Sequence, residues 1–570
     1  MDIIICAGLS LAGALVVAGL QTSHRVDWLS GTPKDVAITL FITQYFALKY
    51  YRVFLYHKYF SPLRHLPGPT DNHFLFGQSI NLLKAESPTA LYIQWMKENP
   101  DAPFIRYLSF GNREVLVPNR PSCHKTLLQT HGYSLQKPAT WLRMTKEMAG
   151  DGVIVMEFEK HKRHRRLLNE PFSTRSIRRL ESVFQSKADE LAELFDRAIS
   201  AGDERTGVID CTQTFSKTTL DVMGIAVLGI DLGNLASTTF RESENSAGAN
   251  KEKKEDEGDY NFHDAYEAIF VHSTLGKIIT LGNGFMPLRW LPLEVNRRFL
   301  FATSWLDRYI TTLFRTRREE IGLAMRTRRY ETDSSRDLMS FLIEESFTGG
   351  LEDDSTDKEL VGDLLQFMIA GHESSANMLA WSLCILARRH DIQTKVQDEL
   401  LALGDEPSFV AIDKAPYFDN FVKECVRVYP PAASFHREIV TDVVIEGVHI
   451  PKHTSFDVVP SVSSLNPLIW GEDVDEIDPT RWDRLQGNQL HSHVSQAFCS
   501  GPRICPGRAF ANMEIKIILA KIIREFRFLK VEKEFTIENP GFTLRPRGLE
   551  VRLERARRTK MKRGTIEAGK

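Results

Sequence analysis

One cysteine in this sequence stands where its sulfur would make a strong metal ligand. FCSGPRICPG, residues 498–507, sets Cys505 in a glycine- and proline-rich turn directly before a helical pattern. A helix N-terminus carries partial positive charge and unpaired amide donors, and both lower a thiol's pKa. Gly501 and Gly507 permit a tight turn and the close approach of a flat ligand. Arg503 can pair with an anionic group, and Phe498 can keep water from the sulfur. A buried loop cysteine is the plainer reading of the same residues. Zinc held by Cys499 and Cys505 is a third, but their spacing does not match the usual ligand pairs and no His or Cys cluster follows.

Three other segments carry polar groups where a bland reading competes with a chemical one. AGHESS, 370–375, interrupts an apolar helical run with Gly371, Glu373 and Ser374. Glycine inside a helix costs about 1 kcal/mol against alanine, and buried polar groups need partners, so the interruption has a reason. A packing glycine with small neighbours is the alternative. KECVRVYPP, 423–431, spaces Glu424 and Arg427 for an i,i+3 pair, which on a surface would be common and weak. HKRHRRLLNEPF, 161–172, reads without context as a solvated basic face.

Together these segments resemble one family. Phe498, Gly501, Arg503, Cys505 and Gly507 fill the pattern F-x-x-G-x-R-x-C-x-G, which resembles the haem-binding signature of the cytochrome P450 monooxygenases. The resemblance gives the iron of haem b to Cys505 and leaves Cys499 at a variable position. It implies that Glu424 and Arg427 form a buried structural pair completed by Arg481 of DPTRW, 478–482. It assigns Glu373 and the hydroxyl of Ser374 to proton delivery during oxygen activation. Ser374 departs from the family's threonine: serine keeps the donor but loses the methyl that restricts its rotamer. His161 replaces the tryptophan of the family's W-x-x-x-R, while Arg165 is kept. Arg165, His161 and Arg437 of FHREI are thereby candidates to hold a haem propionate, as is Arg503.

The family's fold is mainly α with a smaller β portion, an α+β layout, and the sequence agrees. The pattern is mainly helical from Ala90 to Leu235, with 187–200 the clearest stretch. Leu364–Arg389 is the longest internal helical run and is apolar around nearly its whole circumference, which predicts a central buried helix. Helices are also expected over 391–403, 419–429 and 508–527. Short strands are expected over 437–460, and a terminal hairpin over 542–553. Charged, small residues at 241–258 read as a disordered insertion, and 556–570 as a basic tail. The oxygenase domain is placed at 70–555.

Residues 1–60 read as a membrane anchor. Ile3–Leu20 carries no charge and approaches the length of a membrane span, and no basic residue precedes it as in a cleaved signal peptide. A second apolar run, at about 36–55, is a second span or an interfacial helix. Lys49, Arg52, Lys58 and Arg64 follow, which puts the body in the cytosol, on the endoplasmic reticulum. With one span the N-terminus is lumenal, and with two it is cytosolic. SPLRHLPGP, 61–69, reads as a stiff proline hinge.

Bulk composition excludes other classes. The 570 residues carry 72 Lys and Arg against 74 Asp and Glu, so nothing points to nucleic acid. Seven cysteines at irregular spacing argue against a disulfide framework. No G-x-G-x-x-G follows a strand, so electrons from NADPH would come through a separate protein, by resemblance NADPH–cytochrome P450 reductase. Lys160, Lys162 and Arg163 are candidates to face such an acidic partner. The family resemblance implies pocket residues around 131–150, 264–300 and 432–436, and Ala432, Ala433 and Phe435 among them suggest a hydrophobic substrate. The proline hinge and general layout resemble fungal members, which implies a terpenoid or polyketide intermediate of secondary metabolism. Two rivals stand beside the monooxygenase: a haem-thiolate isomerase or dehydratase without reductase, and a non-catalytic haem sensor.

Overall fold

The protein is described by a computed structural model over residues 2–22, 32–202, 205–236, 238, 260–270, 273–327, 337–348 and 357–556. The expected insertion at 241–258 and all of the tail after residue 556 lie outside the described residues. The rest is mainly helical with small sheets. Helix Asp357–Arg388 runs through the main apolar core, with Asp357 and Glu359 in its first turn, where the helix dipole favours acids. It packs most extensively on helix Cys211–Met223. The longest described helix is Glu294–Arg326, one residue longer, which the sequence reading did not single out.

The largest sheet has five strands in the order β1-β2-β8-β5-β3. These are β1 (Phe104–Leu108), β2 (Glu114–Pro118), β3 (Leu135–Gln136), β5 (Phe435–Ile439) and β8 (Ser455–Val458). All neighbours are antiparallel except β2 and β8. β1 and β2 lie inside the stretch read as mainly helical. Five-residue strands give too little periodicity to compete with long helices around them. A second sheet pairs β4 (Thr206–Asp210) and β9 (Phe526–Val531) on either side of β12 (Glu550–Arg555). Two hairpins, β6 (Val443–Ile445) with β7 (Val448–Ile450) and β10 (Thr536–Ile537) with β11 (Pro546–Arg547), complete the strands. The expected hairpin over 542–553 is therefore two separate pairings. Gly548, at φ +77°, turns the chain between β11 and β12, and the two strands take different partners.

At the N-terminus, helix Asp2–Thr22 lies against helix Pro33–Tyr50. They touch closely where a Cβ on Gly13 would stand 2.9 Å from Leu40. The second helix continues as a wider helical turn, Tyr51–Phe60, and the chain leaves helix at Ser61, where the proline segment begins. Among the described residues no helix is long and apolar enough to cross a membrane, so the expected spans are not shown.

Helix Pro416–Val428 carries the polar pair that organises the loops around it. Proline starts it, and it ends before Pro430-Pro431, which cannot continue it. Arg427 donates from Nε and Nη2 to both oxygens of Glu424, each at 2.8 Å. Its remaining donors reach the carbonyls of Ser464, Val474 and Glu476 at 2.8–3.1 Å. Glu424 also accepts from the Trp482 indole and the Asp478 amide, both at 3.0 Å. Arg481 stands 3.5 Å from Glu424 but spends its hydrogen bonds on Asp473 and the Trp470 carbonyl. Glu424 is 0% exposed and Arg427 2%. Removing one partner strands the other charge in the interior. Arg427→Ala is therefore expected to cost about 3–5 kcal/mol, read as a lowered urea midpoint or loss of soluble protein. An unchanged midpoint would contradict a structural role.

Candidate active site around Cys505

The Cys505 loop is built by backbone geometry. The Cys505 amide donates to the Phe498 carbonyl at 2.9 Å, and the Ile504 amide to the Gly501 carbonyl at 3.1 Å. Gly501, at φ +71°, presses on the neighbouring turn: a Cβ there would stand 2.1 Å from the Leu128 carbonyl oxygen. Its constraint is loop packing, and it does not border the cavity described below. Gly507 does, and it leads into helix Arg508–Glu525. Cys499 and Cys505 both touch the cavity. Cys499 is buried in an apolar cluster with Leu127 and Leu128, whereas Cys505 is more open. Burial pushes the Cys505 thiol up, against the Gly507 amide and the Arg165 guanidinium. The helix terminus alone thus does not produce the lowered thiol pKa expected from the sequence. A bound metal ion would, because coordination deprotonates a thiol outright.

The cavity is about 690 Å³. It touches Cys505, Phe498 and Arg503 of this loop, His161 and Arg165 of helix Phe158–Leu167, and Arg437 of β5. Lys137, inside the 131–150 segment expected to line the pocket, joins them; a lone lysine before a proline carries no pattern that would single it out. It lies 3.0 Å from Glu157, which also pairs with Arg503. Burial lowers the Lys137 amine to about 7, with Arg503 adding to the effect and Glu157 opposing it. His161 is lowered to about 3 by burial and then by Arg503, Lys137, Arg165 and Arg437, so at neutral pH it is an uncharged hydrogen-bonding group. The Nε atoms of Arg437 and Arg503 are buried and have no hydrogen-bond partner among the described residues. Clustered cations with free donors, beside a thiol and an apolar space, fit a flat dianionic cofactor such as haem. Lys160 and Lys162, expected to face a partner protein, are paired within the chain to Glu359 and Glu159.

The central helix forms another wall through Ala370, Gly371 and Ser374. A Cβ on Gly371 would stand 2.4 Å from the Met223 side chain, which accounts for the glycine. Two polar residues earlier on this helix fix the loop that supplies Val153 and Ile154 to the cavity. Asp363 accepts from the Val153 amide at 2.6 Å, and Gln366 accepts from the Ile154 amide at 2.7 Å. The Ser374 hydroxyl donates to the Ala370 carbonyl at 2.9 Å. Glu373 does not border the cavity; its carboxylate accepts from Thr543 at 2.7 Å. Thr543, inside the segment expected as a terminal hairpin, does border the cavity.

The expected lining segments are partly corrected. Trp141 falls within 131–150, and Ala432 and Phe435 are present. Ala433 is instead packed in the interior, 3% exposed. None of 264–300 borders the cavity; Met223, Ala226, Val227, Leu338 and Phe341 stand there. Helix Phe262–Phe270 lies against another face of the same stretch of the central helix, where the Tyr266 ring packs edge-on against His372 at 4.2 Å.

A cysteine at a helix start, beside a cavity walled by a long buried helix and clustered arginines, defines a haem-thiolate type of protein. The family model of cytochrome P450 matches residues 66–553, and the chain belongs to that family, the cytochrome P450 monooxygenases, a family of oxidoreductases. Cytochrome P450 monooxygenase sphH of Aspergillus fumigatus is 27% identical over 525 residues, 87% of this chain and 89% of its own. Cytochrome P450 monooxygenase 128 of Postia placenta is 28% identical, covering 92% of this chain and 95% of its own. Cytochrome P450 monooxygenase FUM15 of Gibberella moniliformis is 26% identical, covering 85% and 86%.

One acid on the cysteine helix was also missed. Glu514 is fully buried, neither of its oxygens has a hydrogen-bond partner, and burial raises it from the usual 4.5 to about 8, against a smaller effect of Ser375. Its proton is bound in the folded protein and released in the unfolded chain across that window. Wild-type stability is therefore lost, relative to Glu514→Gln, as pH rises from 4.5 towards 8. The gap in unfolding free energy between the two proteins is expected to widen by about 2–4 kcal/mol. A gap independent of pH would show Glu514 to be ionised in the fold.

Proposed function

We propose that this chain is a haem-thiolate monooxygenase that inserts one oxygen atom of O2 into a hydrophobic small molecule, with Cys505 as the residue that would ligate the haem iron. The observation that carries the reading is one cavity touching Cys505, the cation cluster, Gly371 and Ser374 together. Haem b, when bound, supplies the iron that activates oxygen, and a thiolate ligand pushes electron density towards O–O cleavage. Arg165, Arg437, Arg503 and Lys137 would hold its propionates, with His161 as an uncharged donor. Phe498 shields the sulfur from water. Val153, Met223, Phe341, Phe435 and Phe542 give the substrate an apolar enclosure. Glu373 holds the proton required for oxygen activation, and Ser374 offers a hydroxyl at the cavity surface. Electrons come from NADPH through a separate cytochrome P450 reductase. The substrate class proposed is a terpenoid or polyketide intermediate of fungal secondary metabolism.

The reduced protein is expected to bind CO with the red-shifted Soret band of a thiolate-ligated haem. Cys505→Ala should abolish that band and Cys499→Ala should keep it; the reverse pattern would overturn the ligand assignment. Compounds chosen from a spin-state screen should be oxidised only with NADPH, reductase and O2 together. Turnover without reductase would favour an isomerase, and binding without any turnover a sensor.

Membrane attachment is part of the same proposal, on the endoplasmic reticulum with the catalytic body in the cytosol. Exposed Leu9, Leu11, Leu15 and Val16 on the first helix support it, with Ile38, Ile42 and Phe46 on the second. Lys49, Arg52, Lys58 and Arg64 support the orientation. Removal of residues 1–60 is expected to shift the protein from the microsomal pellet to the supernatant. An unchanged distribution would argue against attachment through this region.

A further inference from the structure

Ser374 and Glu373 are neighbours in sequence, yet the hydroxyl that touches the acid belongs to another part of the chain. Ser374 donates back to the Ala370 carbonyl of its own helix at 2.9 Å. Thr543, from the segment between β10 and β11, donates to Glu373 Oε1 at 2.7 Å. Asn377, one turn along the helix from Glu373, donates from Nδ2 to the same Thr543 hydroxyl at 3.0 Å. An amide nitrogen only donates, so the hydroxyl accepts there and its own proton is directed to the carboxylate.

The backbone on both sides of Thr543 is fixed. The Ala433 amide donates to the Phe542 carbonyl at 3.0 Å, and the Leu544 amide donates to the Pro431 carbonyl at 2.9 Å. The Trp381 indole donates to the Leu544 carbonyl at 2.7 Å. Phe542 and Thr543 meanwhile border the cavity, and Glu373 does not.

We propose that Thr543 is a positioning residue for Glu373: its hydroxyl, oriented by Asn377, holds the carboxyl in one orientation behind the cavity wall that Thr543 itself forms. The proposal rests on the reading of Glu373 as the acid of oxygen activation. It links the loop that meets the substrate to the group that holds the proton. Other groups acting on the carboxyl are Tyr266 from helix Phe262–Phe270, and Arg545 and Glu538 from the segment between β10 and β11; Glu267 acts in turn on Tyr266 and Arg545, and His263 on His372 beside them. Burial raises Glu373, Arg545 opposes that rise, and the nearby Tyr266 hydroxyl and the hydrogen bond from Thr543 oppose it further. Arg545 is itself tied to Glu267 at 2.8 Å, so its charge is shared.

The test uses holoenzyme and the infrared carbonyl band of protonated Glu373, identified as the band lost in Glu373→Gln. Thr543→Val keeps the shape and removes the hydroxyl. It is expected to move the band to higher frequency and to raise its titration midpoint by about one pH unit, the size of one lost hydrogen bond to a carboxylate. Thr543→Ser should restore both. With NADPH and reductase, the share of NADPH recovered as hydrogen peroxide should rise several-fold in the valine variant only. A band and midpoint unmoved by valine would overturn the positioning role. A moved band with unchanged peroxide would keep that role and overturn the reading of Glu373 as the acid. Should the valine variant not retain haem, Asn377→Ala must move the band in the same direction, and an unmoved band there overturns the proposal equally.

Discussion

Helix Asp357–Arg388 is buried along most of its length, and it carries polar side chains that the interior cannot leave unpaired. Five of them find partners in two neighbouring segments. Asp363 and Gln366 take the amides of Val153 and Ile154. Glu373 and Asn377 take the Thr543 hydroxyl, and Trp381 takes the Leu544 carbonyl. Satisfying one helix thus fixes two loops that are far apart in sequence. Both loops border the cavity, so the shape of the cavity follows from the hydrogen-bonding needs of the helix beside it.

The cysteine side follows a different rule. There the constraint is steric: Gly501 lets the loop press on the Leu128 carbonyl, and the Phe498 carbonyl holds the Cys505 amide. The thiol gains its position from the backbone and owes little to its own hydrogen bonds. The buried Glu424–Arg427 pair then ties the segments 464, 474 and 476 to helix Pro416–Val428 through carbonyl contacts. A charged pair with every donor occupied is rigid in a way an apolar contact is not.

What was legible in the sequence was local. The turn around Cys505, the i,i+3 spacing of Glu424 and Arg427, and the apolar run of the central helix each depend on residues close together in the chain. The early strands β1 and β2 were not legible, because five residues of pattern are outweighed by the helices around them. Lys137, Glu157 and Thr543 were not legible either. Their roles come from partners 170 and 346 positions away, or from burial that lowers a lysine whose type says nothing about it. The lining expected from 264–300 failed for a similar reason: which side of the central helix a helix packs on is decided by tertiary contacts. Ser374 was legible as a residue, but its hydrogen bond to Ala370 was not.

Glu157 is the carboxylate that pairs with two of the clustered cations, Lys137 and Arg503, while Arg165 and Arg437 stand near the same histidine. Like charges gathered in a low-dielectric interior repel, and a bound counter-anion relieves them. Anything that binds the folded chain and not the unfolded one adds directly to its stability. The cluster therefore couples two supply lines in the cell. How much folded protein accumulates is governed by the availability of its anionic cofactor as well as by the rate at which the chain is made.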